Sequence, residues 1–263
     1  MTTPRFFVSP AAFRQSQVEL DGAVVHQIRN VLRLRPGDEV VLLDDTGWAY
    51  DVELEVIERE RVWGKVMRKA LAMGEPRTKI TLYQGVLKGH HVEWVLQKGT
   101  EIGVVEFVPM ICARCLMSSL DDISNAKIAR WERIILEAAE QSRRGRLPRL
   151  RPPVIFSQAC EETRRSGLAL MPWEGERTVS LREALLGRDS RTGAAPSARE
   201  NNPRRPFSIA LLIGPEGGFA DEEIELARRY DIRVVTLGAR VLRAETAALA
   251  AATIVLHTFG DLG

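Results

Sequence analysis

Two loops near the C-terminus carry residue types from which chemistry can be built: Gly214-Pro215-Glu216-Gly217-Gly218-Phe219 and Leu237-Gly238-Ala239-Arg240-Val241-Leu242-Arg243-Ala244-Glu245-Thr246-Ala247. Glycines let a backbone approach a ligand closely and offer its N–H and C=O groups to a base edge. The first loop is neither G-x-G-x-x-G nor a P-loop, and Glu216 would repel phosphate, so it suits a ligand with little negative charge there. S-adenosylmethionine, a sulfonium cation without phosphate, meets that description; a Gly-Pro turn that only reverses the chain is the alternative. In the second loop Arg240 and Arg243 can hold an RNA phosphate or polarise a uracil carbonyl. Glu245 either works beside them or simply answers the positive end of a helix.

The elements that must position these loops are legible in the apolar pattern. The run 209–213 reads as a fully buried strand, and the acidic Asp221-Glu222-Glu223 opens a helix after the loop. Residues 234–237 repeat the plan as strand, Gly turn and Ala-rich helix. Successive strand, loop and helix units imply parallel strands, whose ligands sit beyond the carboxyl ends. Upstream, 80–85 and 104–110 read as strands flanking a helix over 91–102, and 168–171 as a further strand. Ser124 or Asn125 caps a helix reaching about residue 142. Its Ile128, Trp131, Ile135 and Ala138 follow helical spacing, which leaves Glu137 and Gln141 beside a buried edge.

Residues 1–73 are instead β-rich, with strands at 6–8, 39–44, 49–58 and 61–69 and turn signals at Arg35-Pro36-Gly37-Asp38 and Asp45-Thr46-Gly47. A short helix over 24–32 places Val25, Ile28 and Leu32 on one face. This is a small barrel of the kind that carries RNA-binding surfaces. The domain boundary falls at 73/74, where Gly, Pro and charge cluster. Residues 187–206, rich in Arg, Ser, Pro, Ala and Asn, read as a mobile surface loop without a catalytic role.

A chain of 263 residues, 45% of them hydrophobic, holds one large or two modest cores, which excludes disorder throughout. No run approaches the ~18 apolar residues of a membrane span, and the N-terminus lacks a signal pattern, so a soluble, cytoplasmic protein is expected. Three cysteines argue against a disulfide framework, and Cys112-Ala113-Arg114-Cys115 has no second pair to make a metal site with Cys160 remote. His90-His91 opens a helix and has no acidic or His partner at metal or catalytic spacing. Net charge is only +2, so a nucleic-acid partner has to be argued from charge placement. Arg143, Arg144, Arg146, Arg149 and Arg151 form one cluster and Arg29, Arg33 and Arg35 another, each either solvated surface or a phosphate contact.

Both loops, together with Lys88-Gly89, Trp94, the stretch Gln97-Lys98-Gly99-Thr100-Glu101-Ile102-Gly103-Val104, Glu137-Ala138-Ala139-Glu140-Gln141-Ser142 and the closing Phe259-Gly260-Asp261-Leu262-Gly263, resemble the bacterial 16S ribosomal RNA (uracil-N3)-methyltransferase family of the SPOUT superfamily. The resemblance extends to Val31-Leu32-Arg33 and Pro36-Gly37-Asp38 in the N-terminal part. It implies an α/β fold: a C-terminal SPOUT domain, residues 74–263, with a parallel sheet and a deep trefoil knot, plus a small N-terminal PUA-like β-barrel. Such knots are a class of exception to the rule that chains do not thread loops. It further implies a homodimer acting on 16S ribosomal RNA or the small subunit, with no metal and no membrane.

Carried over by position, the S-adenosylmethionine site would use Leu170, Met171, Pro172, Ile213, Gly214, Gly218, Leu237, Gly238, Leu242, Arg243 and Ala247. Methylating uracil N3 requires loss of the imide proton. Arg243 would stabilise charge on a uracil carbonyl, with Glu245 or Glu137 as proton acceptor or orienter. The base must be unpaired first, which raises the role of surrounding RNA and of Arg29, Arg33, Arg143, Arg144, Arg146 and Arg149 as phosphate contacts. Two positions depart from the family: Ala239 stands where Pro is usual, and Ala220 where Ser or Thr caps a helix, Asp221 being able to cap one residue later. A ribose 2'-O-methyltransferase of the same superfamily and a non-catalytic RNA-binding assembly factor are the competing readings.

Overall fold

The computed structural model describes residues 3–117, 119–187 and 206–263. The stretch expected as a mobile loop lies, for residues 188–205, outside the described residues. Among the described residues no helix is long and apolar enough to cross a membrane. The chain divides into two compact units, the first running through Glu75 and taking in Leu136–Leu147, the second comprising Pro76–Ile135 and Pro148–Gly263.

In the first unit, β1 (Arg5–Phe7), β2 (Phe13–Arg14), β3 (Gln17–Leu20), β4 (Glu39–Leu43), β5 (Trp48–Ile57) and β6 (Val62–Leu71) form one sheet in the order β1-β4-β5-β6-β3-β2. Only β1 and β4 pair in parallel. Alternation along β5 turns Tyr50, Val52 and Leu54 into a core shared with Phe6, Leu20, Ile28 and Leu42. The β4–β5 turn is held by the buried Asp44, whose carboxylate accepts from Thr46 N–H (2.9 Å), Trp48 N–H (3.2 Å) and the Tyr50 hydroxyl (3.0 Å).

The helix expected over 24–32 is shorter and changes type. α1 (Gly22–His26) gives way to one π-helical turn at Gln27–Val31, closed by Leu32 N–H on the Gln27 carbonyl at 2.9 Å. The wider turn rotates Leu32 off the face it was expected to share, so Val25 and Ile28 are buried while Leu32 is 44% exposed.

The first unit also claims residues 136–147, against a boundary expected only at 73/74, and the cause is local. Glu75 accepts from Arg144 Nε (2.8 Å) and Nη2 (2.9 Å) and from the backbone N–H groups of Gly145 and Arg146 (3.1 Å each). Arg144, expected to contact RNA phosphate, is therefore corrected to a structural residue: it is 3% exposed, its guanidinium engaged by a carboxylate in a bidentate pair.

The second unit is built on parallel strands: β7 (Lys79–Gly85), β8 (Glu106–Ile111), β9 (Arg149–Leu150), β10 (Val154–Ile155), β11 (Leu168–Pro172), β12 (Ser208–Ile213) and β13 (Arg233–Val235). Their order is β10-β8-β7-β12-β11-β13, with β9 also on β8. The helices are α2 (His91–Ile102), α3 (Asn125–Gln141), α4 (Phe156–Glu162), α5 (Leu181–Leu185), α6 (Asp221–Arg229) and α7 (Ala244–Thr258). Ser124 caps α3, its Oγ accepting from Lys127 N–H at 3.3 Å, and Trp131, Ile135 and Ala138 are buried as the spacing required. The end of α3 belongs to the first unit.

Burial alone would push the Glu75 carboxyl up, but Arg144 and the two backbone donors outweigh it and hold it below its ordinary value. A depressed carboxyl contributes stability above its unfolded pKa, and that contribution is lost as pH falls through the folded value. Glu75→Ala should therefore cost about 3 kcal/mol or more near neutral pH, because it strands a buried guanidinium. The deficit against the parent protein should shrink as urea midpoints are taken from pH 7 to below pH 4.

Candidate active site at the carboxyl ends of the parallel strands

Strand β12 lies between β7 and β11, with Ile209 through Leu212 fully buried and Ile213 2% exposed. Continuous burial on both faces explains its unbroken apolar run. Register pairs Ile213 with Gln84 on β7, so Gly214 leaves the sheet beside Gly85. A Cβ on Gly85 would meet Pro215 N at 2.6 Å and Gly214 C at 2.8 Å. Gly85, which sequence reasoning did not single out, is thus what lets the first loop pass over β7.

That loop is fastened on two further sides. Lys88 N–H donates to Glu216 Oε1 (2.8 Å), and Arg114 Nη1 donates to the Gly217 carbonyl (3.2 Å). Glu223 replaces the missing cap of α6. Ala220 remains the N-cap, its N–H donating to Glu223 Oε2 at 2.9 Å, while Glu223 Oε1 accepts from Ala113 N–H at 2.9 Å. Asp221 is the first helical residue rather than a shifted cap. The Cys112–Cys115 turn thus has a bracing role: Cys112 N–H reaches Cys115 Sγ at 3.2 Å, and the Cys112 thiol, donating to it, holds the Cys115 thiol below its ordinary pKa.

The second loop follows β13. Thr236 Oγ1 accepts from Gly238 N–H (3.1 Å), Ala239 is exposed, and Arg243 is the N-cap of α7, its carbonyl accepting from Ala247 N–H at 2.8 Å. Glu245 sits in the first turn of that helix, where a carboxylate is favoured by the helix dipole.

The two loops and the end of β11 enclose a cavity of about 480 Å³. Pro172, Ile213, Phe219 and Leu242 supply apolar walls, and Gly214, Gly218 and Ala247 supply backbone at close range. Gly218 takes φ +69°, and a Cβ there would lie 2.6 Å from Glu174 Oε1. Polar groups of both signs join the lining: Lys88 and Arg243, with His91, and Glu174, Glu216 and Glu245.

Of the residues expected at a cofactor site, Pro172, Ile213, Gly214, Gly218, Leu242, Arg243 and Ala247 line this one cavity. Leu170 and Met171 are fully buried inside β11, while the half-buried Leu237 and exposed Gly238 belong to the loop after β13; none of the four is in the lining. Glu245 is in the cavity wall. Glu137 is not: it belongs to the first unit and lines a separate cleft with Glu140 and Gln141.

Both histidines correct the expectation that they lack acidic partners. His90 Nδ1 lies 3.0 Å from Glu93 Oε2, three residues on in α2. His91 Nδ1 lies 3.3 Å from Glu245 Oε1, a pairing across 154 residues of chain that only the fold creates. Lys88 and His91 enter the site just before and at the start of α2, where the Lys88-Gly89 pair and the His90-His91 helix start are the signals in the sequence.

The remaining arginines have distinct settings. Arg33 and Arg143 are exposed; Arg29 donates to the Arg59 carbonyl (3.0 Å) and Arg146 to the Thr46 carbonyl (2.7 Å). Arg149 is exposed on β9, and Arg151 is paired with Glu162 at 3.0 Å. A larger depression of about 890 Å³ opens near the amino ends of β11 and β13, around Arg164, Tyr230 and Arg233. It lies at the wrong end of the strands for a parallel-sheet ligand crevice.

Comparison with known proteins agrees with this geometry. The model of the RNA methyltransferase domain matches residues 74–256, and that of the RNA methyltransferase PUA domain matches residues 20–67. The chain is similar to ribosomal RNA small subunit methyltransferase E of Bacillus subtilis (strain 168), at 30% identity over 90% of this chain and 89% of that one. It is similar to the protein of the same name from Synechocystis, at 32% identity over 92% and 74% respectively. Among solved structures it resembles ribosomal RNA small subunit methyltransferase E from Neisseria gonorrhoeae bound to S-adenosyl methionine (TM-score 0.80, 28% identity, 98% of both chains). It also resembles a putative methyltransferase from Legionella pneumophila in complex with the same cofactor (TM-score 0.81, 29% identity, 98% of both chains).

The Gly85 contact generates a direct test. Gly85→Ala should lower stability by about 1–3 kcal/mol through overpacking against Pro215. Thermal unfolding reads the loss; an unchanged midpoint would mean the first loop does not need the close approach.

Proposed function

The chain belongs to the ribosomal RNA small subunit methyltransferase E family, and we propose that it transfers a methyl group from S-adenosylmethionine to N3 of a uridine in small-subunit ribosomal RNA. The observation that carries the reading is the convergence of Arg243, Glu245 and His91 on a cavity that also has apolar walls and close glycine backbone.

The cavity fits the cofactor chemically. Pro172, Ile213, Phe219 and Leu242 suit an adenine ring, backbone at Gly214 and Gly218 can read its edge, and Glu174, Glu216 and Glu245 complement a ligand that is cationic and free of phosphate. Leu170, Met171, Leu237 and Gly238 support the site through the strand and loop they belong to. S-adenosylmethionine supplies an electrophilic methyl group when bound. Everything else falls to the chain.

Uracil N3 becomes nucleophilic only when its proton leaves, and charge then spreads onto the two neighbouring carbonyl oxygens. The Arg243 guanidinium, a permanent cation in the cavity lining at the N-cap of α7, stabilises that charge by hydrogen bonding. Glu245 accepts or directs the proton, and its carboxylate is oriented by His91 Nδ1 at 3.3 Å. Glu137 lies outside this cavity, which favours Glu245 for the role. Arg29, Arg33, Arg143, Arg146 and Arg149 are proposed to hold RNA phosphates. The SPOUT knot in the second unit, a closed barrel in the first, homodimerisation and action in the cytoplasm complete the proposal. The family resemblance supports all four, and the strand order β7-β12-β11 is consistent with a threaded chain.

Primer extension over ribosomal RNA from cells with and without the protein should differ by one stop, since N3 methylation blocks pairing whereas ribose methylation leaves the pairing edge intact. In purified protein, Arg243→Ala should lower kcat by about 10²-fold or more. Glu245→Gln should lower it by a factor on the order of 10². Calorimetry should find cofactor affinity retained in Glu245→Gln. Full turnover in both variants would remove these residues from the chemistry.

A further inference from the structure

The first unit contains a second cleft, of about 460 Å³, lined by Phe6, Val31 and Leu32 on its apolar side and by Arg5, Glu140 and Arg143 on its polar side. Its volume is within the roughly 300–1,000 Å³ range of small-ligand sites. We propose that this cleft receives one unstacked nucleobase of single-stranded RNA, with the adjoining phosphate held by Arg5 and Arg143. The proposal rests on the RNA substrate named above and adds a recognition site distinct from the methyl-transfer cavity. The match to the RNA methyltransferase PUA domain ends at residue 67 and starts at residue 20, so Arg5, Phe6, Glu140 and Arg143 lie outside it.

Four observations point to a base and its phosphate rather than to ordinary surface. First, Val31 and Leu32 are 62% and 44% exposed, side by side, because the π-helical turn aims them outward instead of into the core that Val25 and Ile28 enter. Exposed aliphatic groups beside guanidinium planes offer a base face something to lie against. Second, Arg5 Nε is buried without a hydrogen-bond partner among the described residues. A buried donor left unmade is costly, and an anionic oxygen would satisfy it.

Third, burial and then the nearby Arg143 hold the Arg5 guanidinium below its ordinary pKa, with Asp51 opposing. Two like charges are therefore kept close together, with Arg143 placed by the turn that ends α3: it takes the left-handed position (φ +60°) of a helix-terminating turn closed by Arg144 N–H on the Ala139 carbonyl at 2.9 Å. An anion between them would relieve the repulsion. Fourth, the cleft also holds Glu137, Glu140, Gln27 and Gln141. Carboxyls would weaken a site for bare phosphate, but carboxyl and amide groups together supply the donors and acceptors that a base edge needs. Burial, with Glu137 adding to it and Phe7 N–H opposing, pushes the Glu140 carboxyl up to about 7, so near neutrality it can donate as well as accept.

The test uses the full chain and transcribed small-subunit ribosomal RNA carrying 4-thiouridine. Irradiation followed by peptide mapping should place a crosslink at Val31, Leu32 or Gln141. Two variants spare the core: Val31→Ser with Leu32→Ser exchanges largely exposed aliphatic groups for hydroxyls, and Arg143→Gly keeps the left-handed backbone while deleting the guanidinium. Each should raise the Michaelis constant for RNA by about tenfold, leave kcat within about twofold and leave S-adenosylmethionine affinity unchanged. Unaltered RNA affinity in both variants, or an effect of Arg143→Gly without any effect of the serine pair, would overturn a base-receiving cleft while leaving the methyltransferase reading intact. Failure of that reading would show differently, as wild-type protein that binds RNA but methylates no uridine.

Discussion

The insertion of β12 between β7 and β11 is the constraint from which the site follows. Hydrogen-bonded on both edges and buried on both faces, β12 has no freedom of register: a slip of one residue would exchange its two faces and misplace its end. With Ile213 fixed opposite Gln84, the chain must leave the sheet at Gly214 directly over Gly85. The loop that follows then has one path, and Lys88, Arg114 and Glu223 hold it there. Local stiffness in the cavity wall is thus inherited from a strand whose own side chains take no part in chemistry. This is preorganisation by backbone position, which costs no rearrangement when a ligand arrives.

Placing charge in such a cavity is a balance. Three carboxylates share the lining with Lys88, Arg243 and His91 around apolar walls, so charges of both signs meet in one cavity. A cationic ligand is favoured near Glu174 and Glu216, whereas an anion developing on a substrate is favoured near Arg243. The His91–Glu245 contact links the start of α2 to the start of α7 and orients the carboxylate two residues beyond that arginine in the chain. Removing water from a site of this kind strengthens each of these interactions, because the effective dielectric falls.

Much of this was legible in the chain, and the exceptions have physical reasons. The helix at His91–Ile102 and the strand core at 209–213 stand out because periodicity and uninterrupted burial leave clear patterns. The two-residue strands β2, β9 and β10 and the short helices α4 and α5 are too brief for any period to register, and tertiary pairing creates them. Leu32 departs from the face its spacing predicts because apolar spacing cannot distinguish an α-turn from a π-turn, and the difference rotates a side chain out of the core. The pairing of His91 with Glu245 and the need for glycine at position 85 are contacts between distant segments. No local spacing encodes them.

The arginine clusters show why counting charges along a chain is a poor guide to a binding surface. Arg144 sits between Arg143 and Arg146 in sequence yet is buried and saturated by Glu75, so its charge serves the fold. Arg151 is spent on Glu162, and Arg146 and Arg29 each donate to a backbone carbonyl while keeping an exposed or half-buried position. Arg143 differs from all of these: it is the left-handed residue of the turn that ends α3, closed by Arg144 N–H on the Ala139 carbonyl at 2.9 Å, and its charge lies near enough to Arg5 to lower the Arg5 pKa. Like-charge proximity persists only where the surrounding structure imposes it. Its coincidence at one cleft with the unpartnered, buried Arg5 Nε, rather than the number of basic residues nearby, separates a surface shaped for an anionic partner from a merely solvated one.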